Sequence, residues 1–296
     1  MAIPYDCHTH TTFSDGRNSV EENVRQAEAM GLELVVITDH LWPDTDDLST
    51  HVQRIVAADA ESPIHVIPGL EVTVQDAMGT VPLTDHDAGL VRFVLADIGG
   101  CTRGVAIDPP ADVGRYLSNI FRTTLAMVEN PLVHALAHPF NLGRFPATVT
   151  PAQLPRSGLR EVGAALFEAD KAFEIMNQMS WWYPDMSERQ FTLEYAELLA
   201  VIAEQNAKFV LGSDAHSCGA VGAQGWCRRV MELAGIEKSP PSSCSVPLNS
   251  ANSVDLPAPL RPTSAAFSPG WMVTLAPSSS TLAPRRRVTW FSWIMR

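Results

Sequence analysis

The stretch PYDCHTH, residues 4–10, is a short apolar run that ends in two histidines, His8 and His10. Four later segments repeat the arrangement, because each is an apolar run that ends in imidazole or carboxylate side chains. These side chains are common ligands of catalytic metals, so the recurrence indicates a metal centre assembled from the ends of several strands. The four segments are VVITDH (35–40), VIPGLE (66–71), VHALAHP (133–139) and FVLGSDAH (209–216).

Strand and helix signals alternate along residues 1–238. Seven segments are short, continuously apolar and rich in valine, isoleucine and leucine, which is typical of parallel strands buried on both faces. Helical patterns lie between them: the first begins with a capping box formed by Ser19 and Glu22 and stops at Gly31, and another begins with a box at 187–190. This alternation predicts an α/β fold with parallel strands joined by right-handed crossovers. The predicted strands lie near 5–10, 33–39, 64–72, 91–98, 131–139, 171–177 and 208–216.

The positions of the candidate ligands separate a closed barrel from an open doubly wound sheet, which periodicity alone does not do. An open sheet gathers its site near one switch point. Here the candidate ligands follow the first, second, third, fifth and seventh predicted strands. These strand ends converge only in a ring, so we expect a barrel of about seven strands.

The composition favours an intracellular protein. No apolar run approaches the roughly 18 residues of a membrane span, and the N-terminus has no signal-peptide pattern. The five cysteines form no CxxC pair, which argues against a disulfide framework or a structural zinc module. Residues 1–238 hold 16 basic and 32 acidic side chains, a balance unsuited to nucleic acid. We expect a cytoplasmic protein with no membrane and no nucleic-acid partner.

The composition changes sharply after Lys238. Residues 239–296 contain 9 of the 22 prolines and 12 serines, with no sustained helical or strand period. Such a segment buries too little apolar surface to offset its conformational entropy. We therefore divide the chain into a barrel domain at 1–238 and a tail at 239–296 that is disordered or non-native, as translation in a wrong reading frame would produce.

Six motifs in order resemble those of the polymerase and histidinol phosphatase (PHP) domain family. The resemblance covers residues 4–238 and implies a distorted, TIM-like (β/α)7 barrel. It also implies two or three divalent metal ions, zinc, manganese or iron, that hydrolyse phosphoesters. The motifs are HTHTTFSDG (8–16), ITDH (37–40), GLE (69–71), AHP (137–139), FEIMN (173–177) and GSDAH (212–216).

The resemblance also implies which residues hold the metals. Glu71 is expected to bridge two ions, and imidazole and carboxylate ligands suit the three metals named. One ion would be held by His8, His10, Glu71 and Asp214, a further ion by Asp15, His40 and His216, and another by Glu71 with His138.

The sequence departs from the family pattern at the fourth strand. The family commonly has a histidine at the position of Gly99, so the ion between Glu71 and His138 lacks a ligand. Three other residues are alternatives to the absent histidine as a ligand, and loss of that ion is a further alternative. The candidate replacements are Asp97, Cys101 and His86.

The implied reaction is hydrolysis of a small phosphorylated metabolite, such as histidinol phosphate or a nucleotide, by a hydroxide bound to the metals. Asp214, His216 and His10 are the candidate catalytic residues. Arg17, after the SDG turn, and Arg144, six residues beyond His138, are candidate phosphate ligands. The aromatic residues at 181–183 follow the sixth strand, where they could stack on a substrate ring or form a lid.

Two other functions remain open. A non-catalytic PHP module is favoured by the missing fourth-strand histidine, and a metal amidohydrolase by the HxH pair. The amidohydrolase lacks an obvious carbamylated lysine. Two histidines are expected outside the metal centre: His51 at the surface of a predicted helix, and His134 either beside the metal ligands or in the core.

Overall fold

The strands of this computed structural model, which describes residues 4–42, 47–145 and 147–236, form a single parallel sheet. Each strand pairs with the next one along the chain, so the order in the sheet is the order in the sequence. All seven predicted strands are present, and the α/β fold is confirmed. They are β1 (Tyr5–Asp6), β2 (Leu34–Ile37), β3 (His65–Thr73), β4 (Phe93–Asp97), β5 (Ala135–Leu136), β6 (Ala172–Met176) and β7 (Lys208–Gly212).

Helices connect the strands, and the first begins where its capping signal predicts. The Ser19 side chain accepts a hydrogen bond from the Glu22 amide, and Gly31 adopts the left-handed conformation after the last turn. None of the helices in the described ranges is long and apolar enough to cross a membrane. The helices are α1 (Val20–Ala29), α2 (Leu48–Glu61), α3 (Asp85–Leu90), α4 (Val113–Glu129), α5 (Arg156–Glu168), α6 (Glu188–Ala203) and α7 (Gly225–Ala234).

The two edges of the sheet meet and close the ring. The Cys7 amide donates to the Leu211 carbonyl at 3.1 Å, and the His10 amide donates to the Ala215 carbonyl at 2.9 Å. The buried Asp6 carboxylate reinforces this seam, because it accepts a hydrogen bond from the Ser213 amide at 2.9 Å. The predicted seven-stranded, TIM-like barrel is therefore confirmed.

The strands are buried on both faces, as their unbroken apolar sequences predict. Apart from the terminal residues His65, Thr73 and Lys208, every residue of the seven strands is buried. Buried polar side chains concentrate at the carboxyl ends of the strands, where the loops leave the barrel. The predicted domain boundary at Lys238 and the tail at 239–296 lie outside the described residues.

Candidate metal centre

The eight side chains predicted as metal ligands meet at the carboxyl end of the barrel. Together with Asp97 they fall into three overlapping groups, and within each group one nitrogen or oxygen atom per residue lies within 4.8 Å of the others. Parallel strands present their carboxyl ends to the same opening, which brings together residues far apart in sequence. The groups are His8, His10, Glu71 and Asp214; His10, Asp15, His40 and His216; and Glu71, Asp97 and His138.

Glu71, near the end of β3, stands between two of these groups. One carboxylate oxygen, Oε2, lies 3.1 Å from His8 Nε2 and 3.4 Å from His10 Nε2. The other oxygen, Oε1, lies 2.8 Å from His138 Nε2. The carboxylate is buried, and its two oxygens face different histidines, which is the arrangement that a bridging ligand requires.

The group around Asp15 forms the open side of the centre. Asp15 Oδ2 lies 3.2 Å from His216 Nε2 and 3.7 Å from His40 Nε2. The side chains of Asp15 and His216 are both 41% exposed, whereas those of His8 and His10 are fully buried. Solvent therefore reaches the centre from the side of Asp15 and His216.

The donor atoms fit divalent cations. The Nε2 atoms of His8 and His10 lie 3.0 Å apart. At that distance two nitrogen lone pairs repel each other unless a proton or a cation lies between them. Within the described residues, every ion pair of Glu71 and Asp214 is with a histidine. Buried carboxylates require compensating positive charge, which either protons or metal ions supply.

The pKa shifts have the direction that such a site produces. Burial alone would lower the pKa of His10, but hydrogen bonds to Asp214 and Glu71 raise it to about 9. For His138, burial is likewise outweighed by Glu71, and the pKa again rises to about 9. Asp214 is desolvated, yet His8 and His10 lower its pKa to about 2. The carboxylates thus attract cations strongly, and metal binding would displace protons from the imidazoles.

Two of the candidate ligands have a strained backbone. His138 has φ 28° and Asp214 has φ 53°, values that residues other than glycine rarely adopt. Such conformations cost on the order of 1–3 kcal/mol and persist where the surrounding structure enforces them, often at functional sites. The His138 amide is fixed in this position by a 2.7 Å hydrogen bond to Glu174 Oε2.

Glu174 in β6 is a functional residue that the sequence interpretation missed. Its side chain is fully buried, and its Oε1 lies 2.8 Å from His8 Nδ1. A proton on Nδ1 donates to this oxygen, so the Nε2 lone pair of His8 is left to face the centre. The available signal was a charged residue in the middle of the apolar strand FEIMN.

Asp39, just before His40, fixes the loop that carries Asp15. It accepts hydrogen bonds from the Thr11 amide at 2.7 Å and the Ser14 hydroxyl at 2.7 Å. His51 also lies 3.0 Å from its carboxylate. The expectation that His51 is exposed was wrong: it is 6% exposed, because α2 turns that face toward Asp39 and stacks the imidazole on a phenylalanine ring.

Asp97 occupies the place left by the absent fourth-strand histidine. It lies in one group with Glu71 and His138, and it is buried. Burial and the nearby Glu71 charge raise its pKa to about 7. Of the other replacements that the sequence left open, His86 is exposed on α3 and Cys101 is exposed in a turn.

The two candidate phosphate ligands are exposed: Arg17 lies in a loop, and Arg144 ends the short 3-10 helix Leu142–Arg144. The amide of Arg17 donates to the His216 carbonyl at 2.9 Å. The guanidinium of Arg144 lies 3.8 Å above the ring of Trp181, and its Nε donates to the Trp181 carbonyl at 2.9 Å. Arg144 is thus held against an indole, and both arginines remain predictions as substrate ligands.

The other aromatic residues of the 181–183 segment have different environments. Tyr183 is buried, and its hydroxyl donates to the Phe140 carbonyl, so it belongs to the scaffold. The ring of Trp182 lies 5.7 Å from that of His138, beside the centre. His134 accepts a hydrogen bond from the Val94 amide at 3.1 Å, near the start of β4 and away from the ligand-bearing strand ends.

Comparisons with known proteins agree with this geometry. The PHP domain model matches residues 6–213. A protein named "Probable phosphatase" from Thermoanaerobacter sp. (strain X514) is 28% identical over 240 residues, which cover 80% of this chain and 88% of that protein. A protein with the same name from Proteus mirabilis (strain HI4320) is 25% identical over 223 residues, covering 74% of this chain and 81% of its own length.

A solved structure shares the fold. It is histidinol phosphate phosphatase from Lactococcus lactis subsp. lactis Il1403, in complex with zinc, L-histidinol and phosphate. The TM-score is 0.60 at 21% identity, and the match covers 78% of this chain and 94% of that one. The two proteins therefore have the same barrel architecture.

Proposed function

This chain belongs to the PHP domain family and is a hydrolase, and we propose that it cleaves the phosphate ester of a small phosphorylated metabolite with the help of two or three divalent metal ions. The observation that carries the proposal is the overlap of three ligand groups, two of which share Glu71 and two of which share His10. Overlapping groups would hold ions close together, as two-metal phosphoesterases do.

Each proposed ion has its own protein ligands. His8, His10, Glu71 and Asp214 would hold one ion, and Asp15, His40 and His216 would hold a second. Glu71 and His138 would hold a third, with Asp97 as its further ligand. When bound, divalent ions lower the pKa of a coordinated water and neutralise phosphoryl oxygens. Zinc in the similar histidinol phosphate phosphatase supports zinc as one of the metals.

The residues at the open side of the centre would move the protons. The Asp214 side chain is partly exposed, and its carboxylate oxygen that does not hold the ion would accept a proton from the attacking water. His216 is further exposed, and its hydrogen bond to Asp15 raises its pKa. His216 would hold the second ion through Nε2, since its Nδ1 lies 3.0 Å from the Asp214 carbonyl oxygen, and water at this exposed mouth would protonate the departing alkoxide.

Substrate recognition would rest on charge and on aromatic surface. Arg17 and Arg144 would bind the phosphate oxygens at the rim, where guanidinium groups form paired hydrogen bonds. The indole of Trp182, beside His138, would contact the rest of the substrate. The acidic body of the chain disfavours nucleic acid, and phosphate with L-histidinol in the similar phosphatase supports a small substrate.

A test of the proposal uses conservative changes at the centre. Asp214→Asn and His10→Ala should abolish hydrolysis of a generic aryl phosphate and lower the zinc and manganese content, because each removes a ligand. The exposed Asp85→Asn serves as the matched control and should leave both unchanged. Circular dichroism would verify folding. Full activity at wild-type metal content in both centre variants would overturn the proposal.

A screen of phosphorylated metabolites would then identify the substrate class. Folded protein with two or more equivalents of metal, but no hydrolysis of any phosphoester, would support the non-catalytic alternative instead. The intact ligand groups argue against that alternative, because a metal centre kept only for stability needs no exposed side such as Asp15 and His216 provide.

A further inference from the structure

The group of Glu71, Asp97 and His138 contains an unsatisfied carboxylate. Asp97 is only 6% exposed, and its Oδ1 has no hydrogen-bond partner among the described residues. A buried carboxylate oxygen without a donor is unfavourable, and a cation in the group would satisfy it. The unpaired oxygen is thus an independent indication that an ion belongs in this group.

At the end of β4, the space beside the group is filled by the side chain of Asp97 and has no room for a side chain at residue 99. A Cβ atom at Gly99 would lie 2.8 Å from Asp97 Oδ2 and 2.7 Å from Thr73 Cγ2. The Asp97 carboxylate therefore occupies the space that a side chain at 99 would need. The aspartate at 97 and the glycine at 99 form a matched pair, in which one supplies the ligand and the other leaves room for it.

The three groups differ in the chemistry of their donors. The group at the open side has three imidazoles and one carboxylate, and the central group has two of each. The group of Glu71, Asp97 and His138 has two carboxylates and a single imidazole. Imidazole favours zinc, whereas carboxylate favours harder ions such as manganese and magnesium.

We propose that the Glu71–Asp97–His138 group selects a hard divalent ion, represented by Mn²⁺, while the other two groups, in which imidazoles equal or outnumber carboxylates, take zinc. The centre would then hold two kinds of metal, and Asp97 would be the residue that sets the difference. This inference rests on the proposed function only in requiring that the centre binds metals.

The experiment loads the metal-free, full-length protein with two equivalents of zinc and an excess of Mn²⁺, followed by dialysis. Elemental analysis should find two zinc ions and one manganese ion per chain. Anomalous diffraction at the manganese edge should place the manganese between Glu71, Asp97 and His138. In Asp97→Asn, which preserves side-chain volume, the manganese equivalent should be lost and both zinc ions retained.

A second variant tests the selectivity directly. Asp97→His adds an imidazole, so the zinc concentration that releases half of the bound Mn²⁺, followed by electron paramagnetic resonance, should fall on the order of tenfold. Cys101→Ser is the control, because that thiol is the neighbouring alternative ligand, and it should match the wild type.

Two results would overturn the inference: wild-type manganese content in Asp97→Asn, or manganese located in either of the other groups. All of these measurements are made without substrate. The expected distribution of zinc and manganese among the three groups can therefore be wrong in a protein that still hydrolyses phosphoesters. It can also be right in a protein that does not hydrolyse them. The two proposals are tested separately.

Discussion

Replacement of Glu174 by glutamine tests how the centre prepares His8 for metal binding. The variant keeps the volume of the side chain, and its amide oxygen can still accept the hydrogen bond from the His138 amide. The amide NH2 then faces His8 Nδ1, which lies 2.8 Å from a carboxylate oxygen in the native protein. His8 would respond by moving its proton to Nε2, where it points at Glu71 Oε2 and blocks a metal ligand.

The size of the effect follows from these contacts. A hydrogen bond to a charged group contributes about 1.5–3 kcal/mol. Loss of a carboxylate that orients a metal-binding histidine typically lowers metal affinity by about 10- to 100-fold, which corresponds to about 1.4–2.8 kcal/mol. The two estimates agree. Because His8 keeps a hydrogen bond to Glu71 in the variant, the metal-free protein should lose much less stability than the metal-bound protein.

The assay is zinc affinity, measured by competition with a chromophoric chelator, together with thermal unfolding with and without zinc. Nitrogen-15 spectra of the histidine rings would report the tautomer of His8. Glu168→Gln, an exposed glutamate on α5, is the matched control. Zinc affinity within twofold of the wild type in Glu174→Gln, with an unchanged His8 tautomer, would refute the reasoning.

Three further predictions concern the surroundings of the centre. Gly212→Ala would place a Cβ atom against the Glu174 carboxylate, so we expect lower metal content by elemental analysis, and wild-type content would contradict this. His51→Ala removes the basic side chain that lies against the buried Asp39 carboxylate, which should cost about 1–3 kcal/mol of stability in urea unfolding; an unchanged midpoint would argue against it. Desolvation lowers the pKa of Lys171 to about 8 from 10.5, so the unfolded chain binds more protons between these values. The stability of the wild type relative to Lys171→Met should therefore rise from pH 8 to 10.5, and a constant difference in urea midpoints would disprove this linkage.

The strands could be read from the sequence because they follow a local rule, and the eight predicted ligand positions came from the strand ends together with the resemblance to the PHP family, which alone pointed to Asp15. A parallel strand buried on both faces is an unbroken apolar run, and the candidate ligands lie within a few residues of its carboxyl end. His8, His40 and Asp214 were found in this way. The convergence of these residues then followed from closure of the ring.

The remaining residues could not be assigned because their roles depend on packing between distant elements. The sequence left Asp97, Cys101 and His86 as alternative ligands, and the choice of Asp97 depends on the space that Gly99 leaves beside it, which no spacing rule states. The role of Glu174 depends on a contact with His8 across 166 residues of sequence. The burial of His51 depends on how α2 rotates against the loop that carries Asp15, and helical periodicity does not fix that rotation relative to a loop.

The seam between β1 and β7 has a consequence for biosynthesis. His10 and Asp214 lie on opposite sides of this seam and are 204 residues apart in sequence. At a translation rate of about 5–20 residues per second, the ribosome needs roughly 10 to 40 seconds to produce Asp214 after His10 has been made. During that interval the nascent chain holds His8 and His10, which follow β1, with Glu71 but without Asp214. A ribosome that stops before residue 214 would release a chain whose metal centre could never be completed.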